Sequence, residues 1–151
     1  MNRPATAFSI AGVILAMYLV DPAGAQSASK PKQIDVVAND YAFLPLPASI
    51  SAGPTVFTFA NQGKVMHEVN IARLKTVAKV AEFTKADALG RRALIERSVG
   101  ILIGGPANRP DGRILVDLVK GSTYVVYCNF KDTPDAPAHL TLGMYTSFIP
   151  K

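Results

Sequence analysis

The chain has 151 residues, of which 16 are Lys or Arg and 11 are Asp or Glu, so its formal net charge is +5. Hydrophobic residues make up 49% and charged residues 18%, a composition that excludes a disordered or highly charged tail. One Cys and two His exclude an internal disulfide, a four-thiolate metal site and any centre that needs many imidazoles. Because the basic residues are scattered without interleaved aromatic residues, we expect no nucleic-acid partner. The positive charge is compatible with association with anionic membrane surfaces.

The first residues have the layout of a secretory signal peptide. Arg3 precedes an uncharged apolar run over residues 7–20, and small residues at 23–25 provide a cleavage site. The run is shorter than the ~20 residues of a membrane-spanning helix. We therefore predict a signal peptide at 1–25, one mature domain at 26–151 and a periplasmic or secreted protein. An uncleaved N-terminal anchor is the alternative.

Short strand patterns separated by turn signals follow along the mature chain. The predicted strands are 34–38, 41–50, 55–60, 65–74, 113–119, 123–130 and 140–149. Pro45 and Pro47 favour an edge position for the second of them. Residues 76–97 are rich in Ala, Lys, Leu, Glu and Arg, which predicts one or two short helices, and 104–112 and 131–138 are predicted loops. The pattern predicts an all-β fold, a Greek-key β-sandwich with a short helical insertion between strands.

Four residues are candidate metal ligands. His67 lies on the apolar, inward face of its predicted strand. Taken singly, His67 and Met144 could be core residues, Cys128 an inert buried thiol and His139 a surface residue. Taken together, one thiolate, two imidazoles and one thioether are the ligand set of a blue-copper site, in which a His₂Cys plane has a long axial Met. The sequence predicts that His67, Cys128, His139 and Met144 bind one copper ion that cycles between Cu(I) and Cu(II).

Three motifs contain these residues: Asn61–Glu68 (NQGKVMHE), Gly121–Cys128 (GSTYVVYC) and His139–Met144 (HLTLGM). With them the sequence resembles the cupredoxins, the plastocyanin/azurin group of small exported copper proteins. It is most similar to exported cupredoxin-like proteins with a long loop between the Cys and the second His. Here ten residues, 129–138, separate the two. Glu68 stands where the family often has an Asn or Ser that fastens the ligand loop, and we expect it to pair with a basic loop residue such as Lys131.

The resemblance implies a function. We expect a type 1 copper protein that carries single electrons, acts as a monomer and is not an enzyme. Redox partner proteins would dock transiently near an exposed edge of His139. Two alternatives are a periplasmic copper carrier or buffer and a metal-free cupredoxin-like binding module. A Cys–His hydrolase is less favoured, because no helix N-terminus or third orienting residue is evident beside Cys128.

Overall fold

The computed structural model describes residues 30–151, so the predicted signal peptide at 1–25 lies outside the described residues. The described part of the chain forms two four-stranded sheets. Their strands are β1 Lys32–Asn39, β2 Ala42–Phe43, β3 Gly53–Asn61, β4 His67–Leu74, β5 Ile95–Gly104, β6 Ile114–Leu118, β7 Tyr124–Tyr127 and β8 Tyr145–Phe148. Two helices, α1 Val80–Lys85 and α2 Ala88–Leu94, lie between β4 and β5. Across residues 30–151, no helix is long and apolar enough to cross a membrane.

The strand order is β2-β1-β3-β6 in the first sheet and β5-β4-β7-β8 in the second. β1 pairs with β3 in parallel, and every other pair is antiparallel. Several neighbours in a sheet are not consecutive in the chain, so the chain crosses between the sheets, as in a Greek-key sandwich. The predicted all-β sandwich is confirmed.

The main core lies between the two sheets. Strand alternation sends every second residue inward, and the largest fully buried contributions include Phe57 and Phe59 from β3, Ile71 from β4 and Tyr124 from β7. Tyr124 stacks on Phe148 with ring centroids 5.2 Å apart. Burial of this apolar surface from both sheets is the main free-energy gain that joins them.

A second, smaller core covers the outer face of β4 and β7. Ala72, Leu74 and Val125 point outward from these strands and pack against Phe83 of α1. Phe83 is fully buried and meets Tyr127 edge-on, with ring centroids 5.0 Å apart. The predicted helical insertion is therefore confirmed, and its function in the fold is to bury the second face of the sheet.

Some predicted boundaries are wrong. The helical segment ends at Leu94 instead of residue 97, and β5, which had no sequence prediction, follows at once. β5 is an edge strand, and its first half is mostly exposed, with Glu96 paired to Arg73 at 2.9 Å. The charged residues at the start of β5 are also typical of an exposed helix face. The sequence therefore predicted a helix for residues that form the start of a strand.

Three further boundaries differ. In the predicted strand 41–50 only Ala42–Phe43 pair, at the sheet edge, because the two prolines that follow cannot donate a ladder hydrogen bond. β7 ends at Tyr127 instead of residue 130. The predicted strand 140–149 begins instead as a 3₁₀ helix, His139–Leu142, which ends at Gly143 in the left-handed region with φ 102°.

Candidate metal centre

The four predicted ligand residues lie at element ends. His67 opens β4, Cys128 directly follows β7, His139 opens the 3₁₀ helix and Met144 directly precedes β8. β4, β7 and β8 are antiparallel neighbours. The start of β4, the end of β7 and the start of β8 therefore meet at one end of the second sheet.

Three side-chain donor atoms converge there. The Nδ1 atoms of His67 and His139 are 3.1 Å apart, and Cys128 Sγ lies 3.4 Å from His139 Nδ1 and 4.0 Å from His67 Nδ1. All three side chains are fully buried. Metal–nitrogen and metal–sulfur bonds of about 2.0 and 2.3 Å in a trigonal plane would separate the donors by about 3.5–3.8 Å. The observed cluster is close to that spacing, so it is suited to one metal ion.

Met144 is buried beside the cluster and is hydrogen-bonded to it through its backbone. It is fully buried in the same apolar core as Cys128. Its N–H donates to the carbonyl of His139 at 3.0 Å, and its carbonyl accepts from the Cys128 N–H at 3.1 Å. Met144 is therefore fixed between two of the three converging residues.

The ten-residue loop is closed at its base. The His139 N–H donates to the Phe130 carbonyl at 2.9 Å, and the Leu140 N–H donates to the Cys128 carbonyl at 2.7 Å. The residues between Phe130 and His139 lie beyond these two hydrogen bonds. The loop is long, but its length does not separate Cys128 from His139.

Glu68 fastens this loop, by a contact other than the predicted one. Its carboxylate accepts from the Asn129 N–H at 2.9 Å and from the Asn70 side-chain amide at 2.6 Å. Lys131 instead donates to the Pro134 carbonyl at 3.0 Å, so the expected Glu68–Lys131 ion pair is wrong. The Glu68 N–H lies 3.4 Å from Cys128 Sγ and donates to it. Glu68 therefore anchors the start of the loop to β4, because its carboxylate accepts from the Asn129 N–H.

The outer nitrogens of both imidazoles face carboxylates. His139 Nε2 lies 3.1 Å from Asp132 Oδ1, whereas His67 Nε2 lies 3.6 Å from Asp40 Oδ1. Within residues 30–151, His67 Nε2 has no hydrogen-bond partner. Tyr41 covers both rings edge-on, with centroids 4.9 Å from His139 and 6.2 Å from His67. The expected exposed edge of His139 is therefore wrong, because Tyr41 and Asp132 shield the ring from solvent.

Sequence patterns contain no signal that places Asp40, Tyr41 and Asp132 at the centre. Asp40 and Tyr41 lie in the tight connection between β1 and β2, and Asp132 lies in the loop after Cys128. Polar residues of this kind are common in turns. Only the fold brings them to the two imidazoles.

Burial shifts the pKa of two of the candidate ligands. Desolvation, and then the nearby charge of His139, lowers the pKa of His67, which favours the neutral imidazole with a free lone pair. Burial also raises the pKa of the Cys128 thiol; the carboxylates of Glu68 and Asp132 add to that effect, while the N–H groups of Glu68 and Phe130 oppose it. A metal bound here would have to displace the thiol proton.

The carboxylates at the centre are ionised more readily than usual. The Lys64 N–H, which donates to Asp40 at 2.6 Å, is the largest cause of the lowered pKa of Asp40. The Tyr41 hydroxyl is the largest cause of the lowered pKa of Asp132. Both outer nitrogens therefore face negative charge at neutral pH.

Comparison with known proteins gives structural but not sequence matches. The sequence matches no protein-family model. No curated protein matches it.

Three solved structures are similar to the whole domain. The auracyanin of the photosynthetic bacterium Roseiflexus castenholzii has 16% sequence identity and a TM-score of 0.53, covering 80% of this chain and 97% of its own. Auracyanin B has 17% identity and a TM-score of 0.54, covering 81% and 91%. Auracyanin A, a "blue" copper protein of the green thermophilic photosynthetic bacterium Chloroflexus aurantiacus, has 16% identity and a TM-score of 0.52, covering 81% and 100%. The two-sheet topology and these similarities together show that the chain has the fold of the cupredoxins.

Proposed function

We propose that this protein is an exported mononuclear type 1 (blue) copper protein that carries single electrons and is not an enzyme. The observation that carries the proposal is the buried convergence of Cys128 Sγ with the Nδ1 atoms of His67 and His139. A soft thiolate with two imidazoles favours copper over harder ions. The same fold in auracyanin A, a "blue" copper protein, supports this choice.

His67, Cys128 and His139, together with Met144, would hold the ion. Bound copper would supply one-electron chemistry between Cu(I) and Cu(II). The protein residues would keep the donors in one geometry for both oxidation states. The hydrogen bonds at the base of the ligand loop support that rigidity, since they restrain Cys128 and His139 together.

Cellular location and partner docking complete the proposal. A signal peptide at 1–25 would export the domain to the periplasm or outside the cell. A redox partner would dock over Tyr41 and Asp132, which cover His139 and have side chains 36% and 34% exposed. Since these are polar or charged groups, docking would be weak and sensitive to salt.

The alternatives have less support. A copper carrier or buffer would release metal readily, but the ligand loop is hydrogen-bonded at its base. A metal-free module would have to bury two imidazoles and a thiol together, with the two Nδ1 atoms 3.1 Å apart as each other's hydrogen-bond partner. A hydrolase would need an accessible thiolate, whereas Cys128 is buried and burial raises its thiol pKa.

The test is addition of Cu(II) to purified protein comprising residues 26–151, followed by visible and EPR spectroscopy. We expect an intense thiolate-to-copper charge-transfer band that is absent in Cys128→Ser and absent when Zn(II) replaces copper. Voltammetry should then give a reversible one-electron wave with tight copper retention. Weak absorption that is the same in the wild type and Cys128→Ser would refute the proposal. Rapid loss of copper to a chelator would favour the carrier alternative.

A further inference from the structure

The loop between Cys128 and His139 supplies a carboxylate to the outer edge of a ligand imidazole. His139 Nδ1 faces Cys128 Sγ at 3.4 Å, while its Nε2 faces Asp132 Oδ1 at 3.1 Å. With an acceptor at Nε2, the neutral ring carries its proton there and keeps the Nδ1 lone pair free. The Asp132 contact therefore selects the tautomer that a metal at Nδ1 requires.

Tyr41 holds Asp132 in place. Its hydroxyl donates to Asp132 Oδ2 at 2.7 Å, so both carboxylate oxygens have a partner. Its ring stands perpendicular to that of His139, with centroids 4.9 Å apart. The side chain thus contacts both members of the Asp132–His139 pair.

The backbone of Tyr41 is also unusual. Its φ of 60° lies in the left-handed region, which a bulky residue seldom adopts. Such strain persists only where the surroundings impose it, and it is concentrated at functional sites. The backbone conformation of Tyr41 is thus a second observation, independent of its hydrogen bond to Asp132, that indicates a functional position for Tyr41.

The other imidazole lacks this arrangement. Asp40 Oδ1 is 3.6 Å from His67 Nε2 and accepts instead from the Lys64 N–H at 2.6 Å. His67 is held in position by burial at the start of β4. His139 lies in a short 3₁₀ helix after a long loop, so the orientation of its ring depends more on a side-chain hydrogen bond.

We infer that Asp132 is a positioning residue for His139: held by Tyr41, it fixes the orientation and tautomer of the imidazole and so controls how tightly the centre retains its metal. The inference rests on the proposed copper function. Partners of this kind at a metal-bound His typically change metal affinity by about 10- to 100-fold. The ten-residue loop at 129–138 would then itself supply the restraint on His139.

The first experiment is a competition for Cu(I) between the protein and a chromophoric Cu(I) chelator. We expect Asp132→Ala to weaken Cu(I) binding by about 10- to 100-fold. Tyr41→Phe, which removes only the hydroxyl, should weaken it in the same direction by less. Asp135→Ala is the matched control, because Asp135 is an exposed carboxylate in the same loop. Its affinity should equal that of the wild type.

The second experiment observes the hydrogen bond itself. In ¹⁵N-labelled Cu(I) protein, NMR should show His139 with its proton on Nε2 and with slow exchange of that proton. Asp132→Asn retains an acceptor oxygen and should preserve the tautomer, while Asp132→Ala should accelerate exchange. Thermal unfolding of each apo variant checks the fold, and Tyr41→Phe carries the affinity test if Asp132→Ala does not fold, because it removes the hydroxyl that holds Asp132.

The outcomes are distinguishable. If the wild type binds no Cu(I), the proposed function fails and this inference fails with it. If the wild type binds Cu(I) and the folded Asp132→Ala and Tyr41→Phe variants bind it equally well, with unchanged exchange at His139, only the inference is overturned.

Discussion

At the residue scale, Met144 is the candidate ligand whose contribution differs in kind from the others. Its backbone joins His139 to Cys128, and its side chain is buried in the apolar core. A thioether is a weak donor, so its effect on copper would be on the relative stability of the two oxidation states. The three stronger donors would still retain the ion without it.

Met144→Leu should therefore keep copper and raise the reduction potential, because a soft axial donor is replaced by a hydrocarbon of similar volume. Copper content by mass spectrometry and the potential by voltammetry measure the two effects. Loss of all copper from a folded Met144→Leu protein would contradict a weak axial role.

The convergence of His67, Cys128 and His139 was predictable because Cys and His are rare in this sequence. One Cys and two His leave few ways to build a soft metal site, and their order with Met144 follows a known pattern. Asp40, Tyr41 and Asp132 were not predictable, since Asp and Tyr are common and their positions near the imidazoles depend on turns. The burial of His139 was mispredicted for the same reason.

At the element scale, Glu68 connects β4 to the start of the ligand loop and to a helix. Its carboxylate accepts from the Asn129 N–H at 2.9 Å, and the Asn129 side chain accepts from Arg91 of α2 at 3.2 Å. The helical insertion is thereby joined to the residue that follows Cys128. The side-chain amide of Asn70, which is buried, donates to Glu68 at 2.6 Å and to the Tyr127 carbonyl at 3.3 Å.

Glu68→Ala should lower the free energy of unfolding of the apo protein by about 1–2 kcal/mol, because charge-assisted hydrogen bonds to Asn129 and Asn70 are lost. Urea unfolding measures the change. Glu96→Ala is the control: it removes an exposed carboxylate paired with Arg73, a contact worth about 0–1 kcal/mol. Equal losses in the two variants would contradict a special role for Glu68.

Sequence patterns located most strands but missed β5 and the 3₁₀ helix before β8. β3 and the inward face of β4 alternate clearly, since one face is buried in the main core. β5 was missed because its exposed start carries charged residues at positions that a helix surface also shows. The 3₁₀ helix at His139–Leu142 was missed because Leu140 is buried by α1 packing, which the local pattern does not reveal.

At the scale of the whole molecule, Asn61 joins the two sheets at the metal end. It closes β3 in the first sheet, and its side-chain amide donates to the carbonyls of Gly104 and Gly105 at 2.9 Å each, at the end of β5. The same amide donates to the Val65 carbonyl at 2.8 Å, just before His67. One buried side chain at the end of the first sheet therefore donates to carbonyls at the metal end of the second sheet.

Asn61→Ala should lower the free energy of unfolding by about 2–4 kcal/mol, because buried carbonyls lose their donor. Urea unfolding of the apo protein gives the value. Asn108→Ala removes an exposed amide nearby and should change stability by less than about 0.5 kcal/mol. If the two variants are equally stable, the sheets do not depend on Asn61.

The pairing of β4 with β7 also determines the order in which the centre can assemble. His67 and Cys128 are separated by 61 positions in the chain and meet only after these strands have paired. Closing so long a loop costs entropy before any contact repays it, and folds dominated by such distant pairings form slowly. Metal capture by the complete ligand set must therefore follow folding of the second sheet. Copper bound by the complete ligand set would stabilise the finished fold.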